Sequence, residues 1–263
     1  MILSFFRNIF FKKRFGYLPS PRDDRDDAYR VGVPSYVLPP SFFLDYAFFV
    51  RDQSLTSSCV SQSLVAVMEC AASRDSVNYN NDLPLSPHFS YWVSRQKEYS
   101  NFYPDDSGLI VRDALKAALD VGVAPEASCP FRPYKINATP DNIAFSFARI
   151  SRLKSYNRCF TTEEVKASLV DGVAVLLALE VTDNFVACRS HRLNGVVKRS
   201  VGGHAMVVVA YDDSYSNLDG STGAFRILNS WGKSWGDGGY CWLPYSYVSS
   251  QWREAWSVNL STS

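Results

Sequence analysis

A cysteine stands at the head of an apolar run in this chain. Asp52-Gln53-Ser54-Leu55-Thr56-Ser57-Ser58-Cys59 leads into Leu64-Val65-Ala66-Val67-Met68, a pattern that predicts a buried helix over Cys59 to Ala72. Backbone N–H groups at a helix start lack intrahelical partners and the macrodipole favours negative charge there, so the position stabilises a thiolate. A free thiol with a pKa near 8.5 is only ~3% ionised at pH 7. The dipole adds about 0.3–1 kcal/mol, under one pKa unit, which does not make a nucleophile. A neighbouring imidazolium adds ~1–3 units, which does. Of the three histidines, His204 is placed for that task, because it follows Gly202-Gly203 and opens Ala205-Met206-Val207-Val208-Val209-Ala210-Tyr211, an apolar β-rich run. His88 reads as a helix residue and His191 as part of a solvated loop.

A second strand, Ala224 to Leu228, delivers Asn229-Ser230-Trp231-Gly232-Lys233-Ser234-Trp235-Gly236-Asp237-Gly238-Gly239-Tyr240. Gln53-x5-Cys59, Gly203-His204-Ala205 and this twelve-residue block resemble, in the same order, the three signatures of the papain family of cysteine peptidases. The resemblance covers the chain from about Val50 to Tyr247, and the separation of 145 residues from Cys59 to His204 fits that family's spacing. It implies Cys59 as nucleophile, His204 as base and acid, Asn229 as orienter of the imidazole, and Trp231 as a shield over that bond. Gln53 and the Cys59 backbone N–H would be the oxyanion donors. On the substrate side it implies Gly108 and Leu109 as a backbone wall for an extended peptide, Ala205 beside the imidazole, and again Trp231. Neither a metal nor a cofactor is implied.

Two positions depart from the family pattern. Thr56 replaces the disulfide-forming cysteine three residues before the nucleophile, and Val60 replaces the aromatic after it. Both resemble a microbial and viral branch, as do Gly16-Tyr17-Leu18-Pro19 and Asp24-Arg25-Asp26 near the N-terminus.

The elements needed to position these groups can be read along the chain. Residues 1–40 form an extension rich in prolines and charges, expected to be extended and a candidate short pro-segment; 41–263 form the peptidase domain. Helical patterns dominate about 45–145, with further helices expected from Ser86-Pro87 to Lys97 and from Leu109 to Val121. Strands dominate about 147–258, over Ala148–Tyr156, Val173–Val181, Ala205–Tyr211, Ala224–Leu228, Gly239–Trp242 and Glu254–Val258, interrupted by a helix with the capping box Thr161-x-x-Glu164. A helical half followed by a strand-rich half is an α+β arrangement. The resemblance makes it a papain-like two-lobed fold, with a helical N-terminal lobe, a β-barrel-like C-terminal lobe and the active-site cleft between them.

With 263 residues, balanced charge at +1 and 46% apolar residues, the chain can bury a real core and carries no signature of a nucleic-acid partner. Cysteines 59, 70, 129, 159, 188 and 241 do not match the family's usual bridges and are expected reduced, in a cytoplasmic or virion protein. Residues 1–14 are too short to span a bilayer and place Lys12-Lys13-Arg14 on the wrong side for a signal peptide; their aromatic face could meet a membrane surface or a protein groove. Arg189, Arg192, Lys198 and Arg199 read as a solvated loop, with preference for acidic substrate residues as the alternative. The expectation is a monomeric cysteine endopeptidase cutting polypeptides through a thioester on Cys59. The alternatives are an amidase or transpeptidase using the same thioester, or a papain-shaped binding or virion structural protein.

Overall fold

The computed structural model describes residues 15–23, 37–75, 84–96, 98–99, 105–197 and 199–260. The amphipathic segment 1–14 and Asp24-Arg25-Asp26 lie outside them.

The first half is helical. Helix α1, Cys59–Asp75, is buried on every side through Ala71, so its apolar residues need no single stripe. Helix α2, Pro87–Ser94, starts as expected, with Ser86 accepting from the Phe89 N–H and proline in the first turn, but stops three residues short of Lys97. Helix α3 runs Val111–Asp120 rather than from Leu109, because Leu109–Ile110 forms a short strand, β3, paired in parallel with β1, Tyr17–Leu18. The 148–156 region also differs from expectation. Asn142–Ala148 is a helix, α4, with Asp141 accepting from the Ala144 N–H, and the strand, β4, begins only at Leu153 and ends at Cys159.

The second half is an antiparallel sheet. The capping box holds α5, Thr162–Val170, between β4 and β5, Val175–Thr182; the four-residue α6, Asp183–Val186, follows. The central strand β6, Ser200–Ser216, pairs with β7, Thr222–Leu228; then come β8, Tyr240–Pro244, α7, Tyr245–Gln251, and β9, Trp252–Leu260. The order is β4-β9-β5-β6-β7-β8, an open path among the described residues, so "barrel-like" is a loose description of this lobe. Strand β2, Ser41–Phe43, continues along the β6 edge where β5 ends: Val175 pairs with Val208, and Phe43 with Ala210.

Strand alternation explains the continuous apolar runs. On β5, Leu176 and Ala178 join the core shared with α1 and α3, while Val175, Leu177, Leu179 and Val181 join the opposite core with α5 and α7. A sheet covered on both faces needs no polar alternation. One buried ion pair fastens α1 to the segment before it. Glu69 is fully buried, accepts from Arg51 at 2.5 Å and from the Leu85 N–H at 2.7 Å, while burial raises its pKa against the pull of Arg51. Removing one partner strands the other charge, so Glu69→Ala is expected to destabilise the protein by about 3–5 kcal/mol in urea unfolding. A change below about 1 kcal/mol, the range of exposed ion pairs, would contradict that role.

Candidate active site

Cys59 sits at the first position of α1, fully buried, in the core that also holds Ala205 of β6. Burial pushes its thiol up to about 11, against the pull of backbone groups of Ala205, Gly16, Val60 and Cys59 itself. The nucleophile candidate therefore lies against the residue next to His204.

His204, near the start of β6, bonds through Nε2 to Asn229 Oδ1 at 2.8 Å. The same oxygen accepts the Ser230 N–H at 2.8 Å. Since a backbone N–H only donates, it fixes which end of the amide faces the ring, and the His204 Nε2 must carry the proton. Nδ1 is then the basic nitrogen. The Trp231 ring lies over the imidazole, 4.5 Å between centroids at 31°, and Phe185 stands edge-on at 6.1 Å. These rings keep the His204–Asn229 bond out of water, where it is electrostatically stronger.

Gln53 is tied to the asparagine loop. Its N–H donates to the Ser230 carbonyl at 2.8 Å, Asp52 bridges to Trp231, and the Gly232 N–H donates to the Arg51 carbonyl at 2.9 Å. Its side chain accepts from Ser230 Oγ at 2.7 Å and donates to the Thr56 carbonyl at 2.8 Å. Thr56 closes the turn with its hydroxyl on the Gln53 carbonyl at 2.7 Å. Ser54 adopts φ 56 in that turn, backbone strain held at the edge of the site.

Gly108 and Leu109, expected to face substrate, lie against the chain's own residues. Leu109 donates its N–H to the Gly16 carbonyl at 2.7 Å, and Gly108, at φ 100, would place a Cβ 2.3 Å from that same oxygen. A Cβ on Gly16 would fall 1.8 Å from the Ser57 carbonyl oxygen. Phe15 packs edge-on against His204 at 6.4 Å and Trp231 at 6.2 Å. Beyond β1, Ser20 donates from its hydroxyl to buried Glu254 at 3.0 Å, and Arg112 donates to the Pro21 carbonyl. Residues 15–21 thus run across Cys59, His204 and the Gly108–Leu109 wall.

Gln53, Cys59, Ala205, His204, Asn229 and Trp231 converge, as does the Gly108–Leu109 wall through Gly16. Three positioning residues escaped the sequence reading. Asp106 accepts from the Ser57 N–H at 2.9 Å and the Tyr91 hydroxyl at 2.7 Å, setting the wall beside the nucleophile. Ser230 orients both Gln53 and Asn229, and Glu254 receives Ser20. Only Ser230, inside the strong block, could have been flagged; Asp105-Asp106-Ser107-Gly108 reads as an ordinary turn. His88 is buried in α2 on the Ala138 carbonyl, and His191 is exposed, both away from the chemistry. Arg189 and Arg192 lie in a loop, Arg192 over the Tyr215 ring; Lys198 is outside the described residues.

The papain family cysteine protease model matches residues 46–256. The chain belongs to the papain family of cysteine proteases, and it is a cysteine peptidase acting on polypeptides. Xylellain, a cysteine protease from Xylella fastidiosa, is similar in structure, with a TM-score of 0.82 at 28% identity over 95% of this chain and 97% of that one. An uncharacterized peptidase C1-like protein of Acanthamoeba polyphaga mimivirus is 25% identical over 272 residues, covering 91% of this chain and 84% of that protein. Procathepsin B of Trypanosoma congolense, at 18% identity and TM-score 0.74 over 95% of this chain and 88% of that one, shares the fold.

Proposed function

We propose that the chain is a cysteine endopeptidase that folds in a latent form, with residues 15–21 acting as a short pro-segment in the catalytic cleft. The single observation that carries the catalytic reading is the His204–Asn229 bond of 2.8 Å, with an amide orientation that leaves Nδ1 basic, on the strand whose next residue touches Cys59. In this reading His204 Nδ1 takes the Cys59 proton, the thiolate attacks the scissile carbonyl, and the imidazolium protonates the departing amine. Water then hydrolyses the thioester. Gln53 and the Cys59 N–H stabilise the oxyanion, with Ser230 holding the Gln53 side chain in place. Asn229 is neutral and leaves the imidazolium free to pair with sulfur.

Latency is supported by the raised thiol and by its cover. A Cys59 held at about 11 is a neutral thiol at physiological pH, and the Leu109 N–H that would receive a peptide carbonyl already holds that of Gly16. The active enzyme in this proposal is a monomer.

Bromelain from Ananas comosus has been solved with the inhibitor E64. The same reagent should label this protein at Cys59 once residues 15–21 are displaced, with no label in Cys59→Ala. Attachment to another cysteine would overturn the assignment. In the uncovered enzyme, Gln53→Ala is expected to lower kcat roughly 10²–10³-fold with little change in KM, measured on a fluorogenic peptide. A loss confined to KM would remove Gln53 from the oxyanion site.

A further inference from the structure

Two thiols outside the active site lie within reach of one another. Cys188 Sγ and Cys241 Sγ are 3.4 Å apart, both buried, and neither is in a disulfide. Cys188 follows α6 and Cys241 lies in β8, 53 residues further on. The backbone holds them together from both sides. The Trp242 N–H donates to the His191 carbonyl at 2.8 Å, the Leu193 N–H donates to the Trp242 carbonyl at 3.0 Å, and the Gly236 N–H donates to the Cys188 carbonyl at 3.3 Å. Bonded sulfurs sit about 2 Å apart, so closure asks for little more than ~1 Å of side-chain movement.

We propose that Cys188 and Cys241 form a disulfide site that responds to hydroperoxides, independent of the catalytic thiol. Cys188 is the attacking sulfur. Contact with the Cys241 sulfur, the Ser190 backbone and hydroxyl, and the Arg189 charge hold its thiol low against burial, whereas burial raises Cys59, which is also covered. The Cys188 thiolate attacks one oxygen of hydrogen peroxide; an S–O bond forms, the O–O bond breaks, and the departing hydroxide takes a solvent proton to leave as water (an alkyl hydroperoxide would release the alcohol instead). The Cys241 sulfur then attacks the sulfenic sulfur. An S–S bond forms, the S–O bond breaks, and the oxygen leaves as a second water with the Cys241 proton. Two thiols are oxidised and one peroxide is reduced.

The cross-link would pin the loop after α6, whose Phe185 packs on His204 and whose carbonyl receives the Trp235 indole N–H at 3.0 Å. Its expected effect is therefore on stability rather than on the reacting atoms.

The test treats the full chain with hydrogen peroxide, alkylates remaining thiols after unfolding, and maps the peptides. The expected product is one cross-linked peptide joining Cys188 to Cys241, with the other four cysteines alkylated. The Tm should rise by on the order of 10 °C and fall back with dithiothreitol, for closure of a loop this long. Cys241→Ser should lose both the cross-link and the Tm response. Over-oxidised Cys188 beside alkylated Cys241, a bridge to another cysteine, or oxidation of Cys59 first would overturn the proposal. The map of the unmutated chain decides even if a variant folds poorly.

Discussion

Gly16→Ala is expected to raise the rate of Cys59 alkylation at neutral pH at least ~100-fold, the ratio of thiolate fractions for a thiol released from about 11 to its ordinary 9.0 before pairing with the imidazolium lowers it further. The substitution acts on the cover alone. A methyl at Gly16 would meet the Ser57 carbonyl oxygen at 1.8 Å and its carbon at 2.4 Å, and backbone held by Asp106 cannot step aside, so residues 15–21 must leave. Peptidase activity should appear in parallel, and deletion of residues 1–22 should reproduce it. The pH dependence has a definite sign. The covered form keeps its thiol proton up to about 11, so raising the pH from the open form's ionisation toward that value favours opening, and lowering it favours closure. Equal alkylation rates in the Gly16→Ala, deletion and unmodified proteins across pH would show that residues 15–21 do not govern access.

The second large effect is expected at the base. In the uncovered enzyme, His204→Ala should lower kcat/KM by at least ~10⁴-fold, and the double variant with Cys59→Ala should be hardly worse, since nucleophile and base act as a unit. Asn229→Ala should fall between this and the unmodified enzyme, because Trp231 and Phe185 still confine the ring after the 2.8 Å bond is lost. Additive losses in the double variant would mean that the two residues work separately. Both experiments read initial rates with a fluorogenic peptide.

The convergence of the candidate site was legible in the sequence because its residues lie in strongly patterned places. Cys59 heads a helix buried through Ala71, His204 opens the apolar part of β6, and Asn229 follows β7 at a glycine-rich block whose twelve residues leave little room for coincidence. Element boundaries were less legible. Asn142–Ala148 passed unrecognised as a helix because Ile143 and Phe147 point outward, leaving only Ala144 and Ala148 buried and no apolar stripe of useful size. Leu109–Ile110 read as the start of a helix, but its strand character comes from Tyr17–Leu18, some ninety residues earlier, a pairing no local pattern encodes. For the same reason the extension could be expected near the cleft without a register, whereas the structure seats Gly16 at Cys59 and Leu109. Asp106, Ser230 and Glu254 do their positioning through contacts made only after the chain has folded.

Proton sharing between Cys59 and His204 is central to catalysis, and the pH profile of alkylation in Gly16→Ala reports on it directly. A thiolate–imidazolium pair predicts reaction that persists well below pH 7 and retreats in His204→Ala to one ionisation near the ordinary cysteine value of 9.0. A single ionisation near that value in both proteins would show that the imidazole does not activate the sulfur.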